Sequence, residues 1–319
     1  MKVLAIADGK VALVERPTPH PVADQVVVKV AGTGINRADL LQKIGRYPAP
    51  FGWPADVPGL ELAGTVEATG DRVRNLKAGD RVFGIVGGGA HSTHALTTEA
   101  LLAGVPGELD LIHAGGVPEV FVTAHDAMLV QARLRSGERV LIHGVGSGVG
   151  TAAVQLAKSI GAVTIGTSRT PEKLERARSL GLDEGVLASE DMSAAIGEVD
   201  VVIDLIGGDY LETDVSVVRS QGRIVLVGLV AGASARLDLG LILNKRVSLR
   251  GTVLRARPDY QKAAAMSAFA REVVPLFATG TLRPVIDRIS PLATGEDAYG
   301  AMASDTTFGK IVLAPEDSA

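Results

Sequence analysis

Between Val140 and Lys158 the chain reads VLIHGVGSGVGTAAVQLAK, with Gly144, Gly146, Gly148 and Gly150 packed into seven residues. Glycines at such spacing let backbone N–H groups approach a pyrophosphate closely. A helix beginning there adds partial positive charge. The residues read as contacting a dinucleotide are Gly146, Ser147, Gly148, Val149 and Gly150. The strict G-x-G-x-x-G spacing fails from Gly144 or Gly146, where the third position falls on Val149 or Thr151. The turn alone therefore also fits an ordinary strand–helix connection, and its context has to decide.

A second group of residues bears on which dinucleotide is held. The residue ending the second strand of such a unit meets the adenosine ribose, and an acid there accepts from the 2′-hydroxyl but repels a 2′-phosphate. That position is Ser168, followed by Arg169, with Lys173 a helical turn further and no acid before Glu172. Ser168, Arg169 and Lys173 point to NADPH, since each charge-assisted hydrogen bond to a phosphate is worth roughly 1.5–3 kcal/mol. The alternative is that Arg169 and Lys173 are solvated surface charges. A third group is aromatic. Tyr47, Phe51 and Trp53 share one Pro-rich loop in a chain with only six Phe, four Tyr and one Trp. Three rings so placed suit stacking on a planar acceptor, or else they pack the loop onto its own domain.

The elements that must position these residues follow from periodicity. Val140–Ile142 is a short apolar strand, and Val149, Ala152, Ala153, Leu156 and Ile160 repeat at helical spacing. Val163–Ile165 begins a second strand and closes a β-α-β unit. Pro171 to Leu180 reads as a helix with Leu174, Ala177 and Leu180 inward. The runs 199–204 and 222–228 read as buried parallel strands. They end at Gly207-Gly208 and at Gly228-Leu229, on the carboxyl edge where open sheets bind ligands. Before residue 100, short strands at 25–30, 64–68 and 80–84 alternate with turns and suggest a compact β-rich domain. Asp259 to Thr279 is expected to be one helix with Ala264, Ala268, Val274 and Phe277 inward. The strands at 285–290 and 310–313 are expected to return to the first domain, leaving the active site in a cleft.

Composition narrows the classes. The 319 residues are 46% hydrophobic and 21% charged, with a formal net charge of −4. That excludes a disordered chain and gives no support to nucleic-acid binding. No apolar run reaches membrane-spanning length, and MKVLAIADGKVALVERP reads as a first strand rather than a signal peptide. Cysteine is absent, which removes disulfides, thiolate nucleophiles and cysteine–zinc sites. A soluble cytoplasmic protein is the expectation. His91 and His94 stand three apart in a strand-like setting, where they diverge. They read as solvated or core residues rather than as metal ligands, and His143 reads as structural.

Several motifs occur in one family's order: NRADLLQKIGRYP (36–48), PGLELAGTVEATG (58–70), LKAGDRVFG (76–84), the Gly-rich unit, VVIDLIGG (201–208) and GKIVL (309–313). Together they resemble the zinc-independent quinone oxidoreductases of the medium-chain dehydrogenase/reductase superfamily, the zeta-crystallin-like group. The resemblance implies an α/β fold, a doubly wound parallel Rossmann sheet plus a β-rich GroES-like catalytic domain. The expected division is 1–118 with 280–319 for the catalytic domain and 119–279 for the NADPH-binding domain. Where the zinc-dependent relatives carry a cysteine and a histidine, this chain has Asn36 and Leu60. The structural-zinc loop is missing. Without a Lewis acid to stabilise an alkoxide, the favoured acceptors are quinones and α,β-unsaturated carbonyls, which delocalise the arriving electrons.

By the same resemblance Asn36 and Tyr47 are the catalytic candidates. They face nicotinamide and substrate, with Phe51 and Trp53 completing the substrate site. Tyr47 O–H or an Asn36 N–H would hydrogen-bond the acceptor oxygen. Thr123 lies near the nicotinamide ribose, and Glu119 is a polar fixture of a metal-free site. Many relatives carry a tyrosine near Ala188, which is lacking here. The expected activity is NADPH-dependent hydride transfer to a quinone. The alternatives are 2-alkenal or enoyl-thioester reduction, and a non-catalytic NADPH-binding structural or regulatory role. Arg246–Leu254 is strand-like where the family's sheet pairs across a two-fold, so a homodimer is expected.

Overall fold

The computed structural model describes residues 1–189 and 192–315. The chain forms two compact units, Met1–Val122 with Leu254–Ala319, and Thr123–Val253.

The second unit is built on a six-stranded sheet. Its order is Glu184–Leu187, Val163–Ser168, Arg139–Ile142, Val199–Asp204, Val218–Leu226 and Ser248–Gly251. Every pairing is parallel. In sequence order this is 3-2-1-4-5-6, the doubly wound order whose direction reverses beside the first strand. Val199–Asp204 is buried along its whole length, as a central strand covered on both faces must be. Leu141, Ile165, Val202 and Ile224 share one core cluster with Leu211 and Val215. Burying each such side chain contributes roughly 1.5–3 kcal/mol. The helix Pro171–Arg178 buries Leu174 and Ala177, and Leu180 beyond it is buried too, as the periodicity requires.

The first unit carries a seven-stranded sheet and a two-stranded hairpin, Lys2–Ala7 with Lys10–Glu15. Its long strand, Gln25–Gly34, pairs antiparallel with Glu61–Thr69, with His94–Thr98 and with Lys310–Ala314. The last of these puts Val312 opposite Gly34, so the chain's end does return to its beginning. Valines 26, 28 and 30 alternate inward with Leu62, Val66 and Val82 to form this unit's core.

Three expectations differ from what is observed. The second junction falls after Val253 rather than at 279. The helix Asp259–Glu272 packs on the first unit, where Phe269 meets Phe83 at 5.6 Å between ring centroids. Its inward face is Lys262, Met266 and Phe269, with Val273 after its end, rather than one through Ala264 and Ala268. Alanine carries too little surface to choose a face, whereas Met266 and Phe269 do. The helix also ends at Glu272 and a second one runs Val274–Ala278. Pro275 explains the break, because it lacks an N–H and restricts Val274 before it.

Candidate active site

The dinucleotide candidates gather at the carboxyl edge of the parallel sheet. After Arg139–Ile142 the chain turns at Gly144, whose φ of +69° suits glycine, and enters the helix Gly148–Ser159. Ser147 caps that helix by accepting a hydrogen bond from Gly150 N at 3.0 Å. A Cβ on Gly150 would lie 2.3 Å from Gly144 O, so glycine lets the helix start press onto the turn. Gly148 and Val149 are half-buried in the helix's first turn. A Cβ on Gly146 would lie 2.7 Å from Lys173 Cδ, so the Lys173 stem rests on the turn. Ser168 ends its strand buried, and exposed Arg169 follows. Gly228, whose Cβ would press on Leu205 O, and exposed Leu229 follow Val218–Leu226. A tight turn, a helix N-terminus and a lysine at one edge fit a dinucleotide phosphate. Thr123 is half-buried on the helix Pro118–His125.

Under this edge lies a buried polar network. His143 reaches Asp214 Oδ1 at 2.7 Å through Nε2 and Thr167 Oγ1 at 2.8 Å through Nδ1. All three are fully buried. Burial raises the Asp214 carboxyl to about 6, with His143 opposing and the nearby Asp204 reinforcing. The Oδ2 atoms of Asp204 and Asp214 are both buried and have no donor beside them. Asp204 Oδ1 accepts from Ile206 N and Gly207 N and so shapes the turn at the strand's end. His143 is structural in this sense.

In the first unit Asn36 stands at the start of the helix Arg37–Lys43. Asp39 fixes that start, accepting from Asn36 N at 2.7 Å and from Gly59 N at 2.9 Å. The Asn36 amide is fully engaged: Nδ2 donates to Gly34 O at 3.2 Å and Glu61 Oε1 at 3.0 Å, while Oδ1 accepts from Lys310 at 2.7 Å. An amide has two N–H donors, and here both are spent. This corrects the expectation that an Asn36 N–H greets the acceptor. Lys310 is 4% exposed, and its ammonium also contacts Glu61 Oε1 and Ile35 O, each at 2.7 Å. Glu61 Oε2 accepts from Glu119 N at 2.9 Å. Burial, then the charge of Glu61, pushes the Glu119 carboxyl up to about 8. It is therefore an acid at neutral pH.

The aromatic trio divides three ways. Trp53 packs on the core of its own unit, beside Gly87, with the Lys262 ammonium 5.6 Å from its ring. Phe51 is wholly exposed. Tyr47 is half-buried beneath the Arg255 guanidinium, which lies 5.1 Å from its ring centroid. Burial raises the Tyr47 phenol, with Arg255 opposing and Glu119 reinforcing. Its hydroxyl has no hydrogen-bond partner among the described residues. The sequence reading named Tyr47 but missed Lys310 and Arg255. Each follows or sits in an apolar run, and spacing along the chain gives no sign of partners more than 200 residues away.

The two histidines have separate partners, and only His94 lies in a strand. His91 is buried against Tyr299 Oη at 2.9 Å, with burial holding its pKa down. His94 pairs with Glu67 at 2.8 Å. Among the described residues no group of three or more His, Cys, Asp or Glu is arranged to hold a metal ion.

The chain is similar to known proteins over most of its length. Residues 22–134 match the model of the alcohol dehydrogenase GroES-like domain, and 148–269 that of the zinc-binding dehydrogenase. The chain is 32% identical over 307 residues to a quinone oxidoreductase of Lama guanicoe, covering 92% of this chain and 90% of that one. Among solved structures, the quinone oxidoreductase of Pseudomonas syringae pv. Tomato superposes with a TM-score of 0.85 at 29% identity. That match covers 98% and 99% of the two chains. The CurK enoyl reductase superposes with a TM-score of 0.84 at 26% identity, covering 98% of each.

Proposed function

Because the chain belongs to the quinone-oxidoreductase branch of the medium-chain dehydrogenase/reductase superfamily, we propose that it is an NADPH-dependent reductase acting on quinones without a metal ion. The observation that carries the cofactor choice is the Lys173 stem resting on Gly146, with the second strand ending on Ser168 and Arg169 next in the chain. The turn Gly146, Ser147, Gly148, Val149 and Gly150 binds the pyrophosphate through backbone N–H groups. Ser168, Arg169 and Lys173 hold the 2′-phosphate, Thr123 orients the nicotinamide ribose, and Gly228 and Leu229 lie along the dinucleotide. NADPH, when bound, supplies a hydride.

On the acceptor side Tyr47 is the hydrogen-bond donor to the oxygen that gains charge, since both Asn36 N–H groups are committed. Asn36 acts with Lys310 and Glu61 as the rigid floor. Within that floor the Lys310 ammonium is paired with the Glu61 carboxylate. Phe51 and Trp53 bound the substrate loop. Rate then comes mainly from orientation and the exclusion of water.

A second reading is the reduction of 2-alkenals or enoyl thioesters, and the likeness to the CurK enoyl reductase favours it. Assays of NADPH and NADH against quinones, 2-alkenals and crotonyl thioesters, with and without a chelator, separate the two. Chelator-resistant quinone turnover preferring NADPH is expected. Turnover of only the alkenal or thioester moves the assignment to the second reading. Binding of NADPH with no turnover of any acceptor leaves a structural or regulatory role.

Among the described residues the strand Ser248–Gly251 pairs on one side only, with Val218–Leu226; Leu249 within it and Val253 just after it are exposed, as are Leu239 and Leu243 on the preceding helix. An unpaired edge with apolar neighbours is a template for pairing. A homodimer formed through this edge is the proposed assembly, and the cytoplasm the proposed location. No helix among the described residues is long and apolar enough to cross a membrane.

A further inference from the structure

Arg255 is 4% exposed, and its guanidinium ties three separate segments together. Nε donates to Gly87 O at 3.1 Å, one terminal nitrogen to Tyr47 O at 3.1 Å, and the other to Gln42 Oε1 at 2.5 Å. Gln42 in turn donates to Ala55 O at 2.9 Å. The loop from Tyr47 to Ala55 is thus gripped at both ends by one fork. We propose that Arg255 is the positioning residue of the reaction, holding the Tyr47 phenol in place for the acceptor and keeping a positive charge against its ring. This rests on the reading of Tyr47 as the donor.

The choice of side chain supports the inference. All three hydrogen-bond acceptors are neutral oxygens, and burying a cation among neutral partners costs desolvation that a neutral donor would avoid. The Asp39 carboxylate offsets part of that cost, and the charge also lies over the Tyr47 ring, where a cation favours the tyrosinate that forms as the proton leaves. The ionisable groups facing Arg255 are Tyr47, Asp39, Glu119 and Tyr299, and those facing Tyr47 are Arg255 and Glu119. Lys262 provides a contrast. It is also buried, 2% exposed, and its ammonium lies over Trp53, a ring that cannot ionise. It keeps a carboxylate partner of its own, Asp259 Oδ1 at 3.0 Å. Two buried cations from one stretch of chain therefore meet the same loop, and only one faces a titratable ring.

The test compares Arg255→Met, Arg255→Lys and Lys262→Met in the full-length protein. Trp53, the only tryptophan, reports the loop by its emission. Ultraviolet titration against Tyr47→Phe reports the phenol. In Arg255→Met, kcat is expected to fall roughly 10- to 100-fold from misplacement of the donor. The KM for NADPH should stay within about twofold. The alkaline limb of the kcat profile and the Tyr47 titration should both move to higher pH. Arg255→Lys should restore the limb, since it keeps the charge, but only part of kcat, since it loses the fork. Lys262→Met should shift Trp53 emission and leave the limb where it is. The proposal is overturned if Arg255→Met leaves limb and titration unmoved, or if Lys262→Met moves them equally. Should no acceptor be turned over by the parent protein, the donor reading fails while the titration still decides whether Arg255 tunes the phenol. Should Arg255→Met not fold, Arg255→Lys decides alone: intact kcat removes the fork.

Discussion

Lys173 lies across Gly146, so closely that one methyl group on the glycine would collide with it. The contact joins the glycine-rich turn to the helix after the second strand, 27 residues apart in number, and brings a cation to the edge where Ser168 and Arg169 stand. Lys173→Ala and Arg169→Ala should each raise the KM for NADPH by about 10- to 100-fold, from the loss of a charge-assisted hydrogen bond worth roughly 1.5–3 kcal/mol. The KM for NADH should change little. Steady-state kinetics with both cofactors is the measurement, and equal effects on the two would count against a 2′-phosphate site.

Tyr47→Phe removes the hydroxyl and leaves the ring under Arg255. Turnover should drop by about 10²-fold or more if the phenol supplies the proton. NADPH binding followed by fluorescence should be unchanged. Undiminished turnover would remove Tyr47 from the chemistry.

Lys310 and Glu61 form an ion pair with almost no exposure. Lys310→Met strands the Glu61 carboxylate and should cost about 3–5 kcal/mol of unfolding free energy in a urea titration. Adding Glu61→Gln should recover part of that loss, because the uncompensated charge is then gone. A double variant weaker than the single one would show that the lysine matters for something other than Glu61.

Glu119 carries a carboxyl raised from 4.5 to about 8 by burial and by Glu61. Between those values the folded protein holds a proton that the unfolded chain releases, so this group's contribution to stability is lost as pH rises towards 8. Glu119→Gln cannot titrate. Its melting temperature should therefore fall less than the parent's between about pH 5 and about pH 8. Parallel curves for the two proteins would place the Glu119 pKa near its ordinary value.

Leu249 sits in the unpaired edge strand, 44% exposed. Leu249→Asp should convert the proposed dimer to monomer in sedimentation velocity while leaving the melting temperature of the separated chain near that of the parent. A parent protein that already sediments as a monomer would dispose of the dimer.

Much of the fold is written in local patterns. Val199–Asp204 is apolar enough to be recognised as a doubly covered strand, and the glycines of 144–150 announce a turn before a helix. The candidate positions Ser168, Arg169 and Lys173 could be picked out by type and spacing, and Lys173 does lie against the Gly146 turn. The site was not legible where a residue's meaning lies in a distant partner. Asn36 reads as a free amide until Lys310 and Glu61 are seen to occupy it. The three rings of 47–53 look like one cluster, yet the cations Arg255 and Lys262 and the core sort them into different environments. The helix of 259–272 misled for a related reason: its alanines fit either face, and tertiary packing on Phe83 chose the other.

The strand Lys310–Ala314, laid beside Gly34, has a consequence for how the protein is born. Residues 123–253 are contiguous and can fold as soon as they leave the ribosome, domain by domain. The first unit cannot. Its opening strands must wait, with a buried Glu61 still lacking its counter-charge, until nearly 250 further residues have been translated and Lys310 arrives. Termination between residues 253 and 310 would yield a chain whose 123–253 unit is finished and whose first unit never closes.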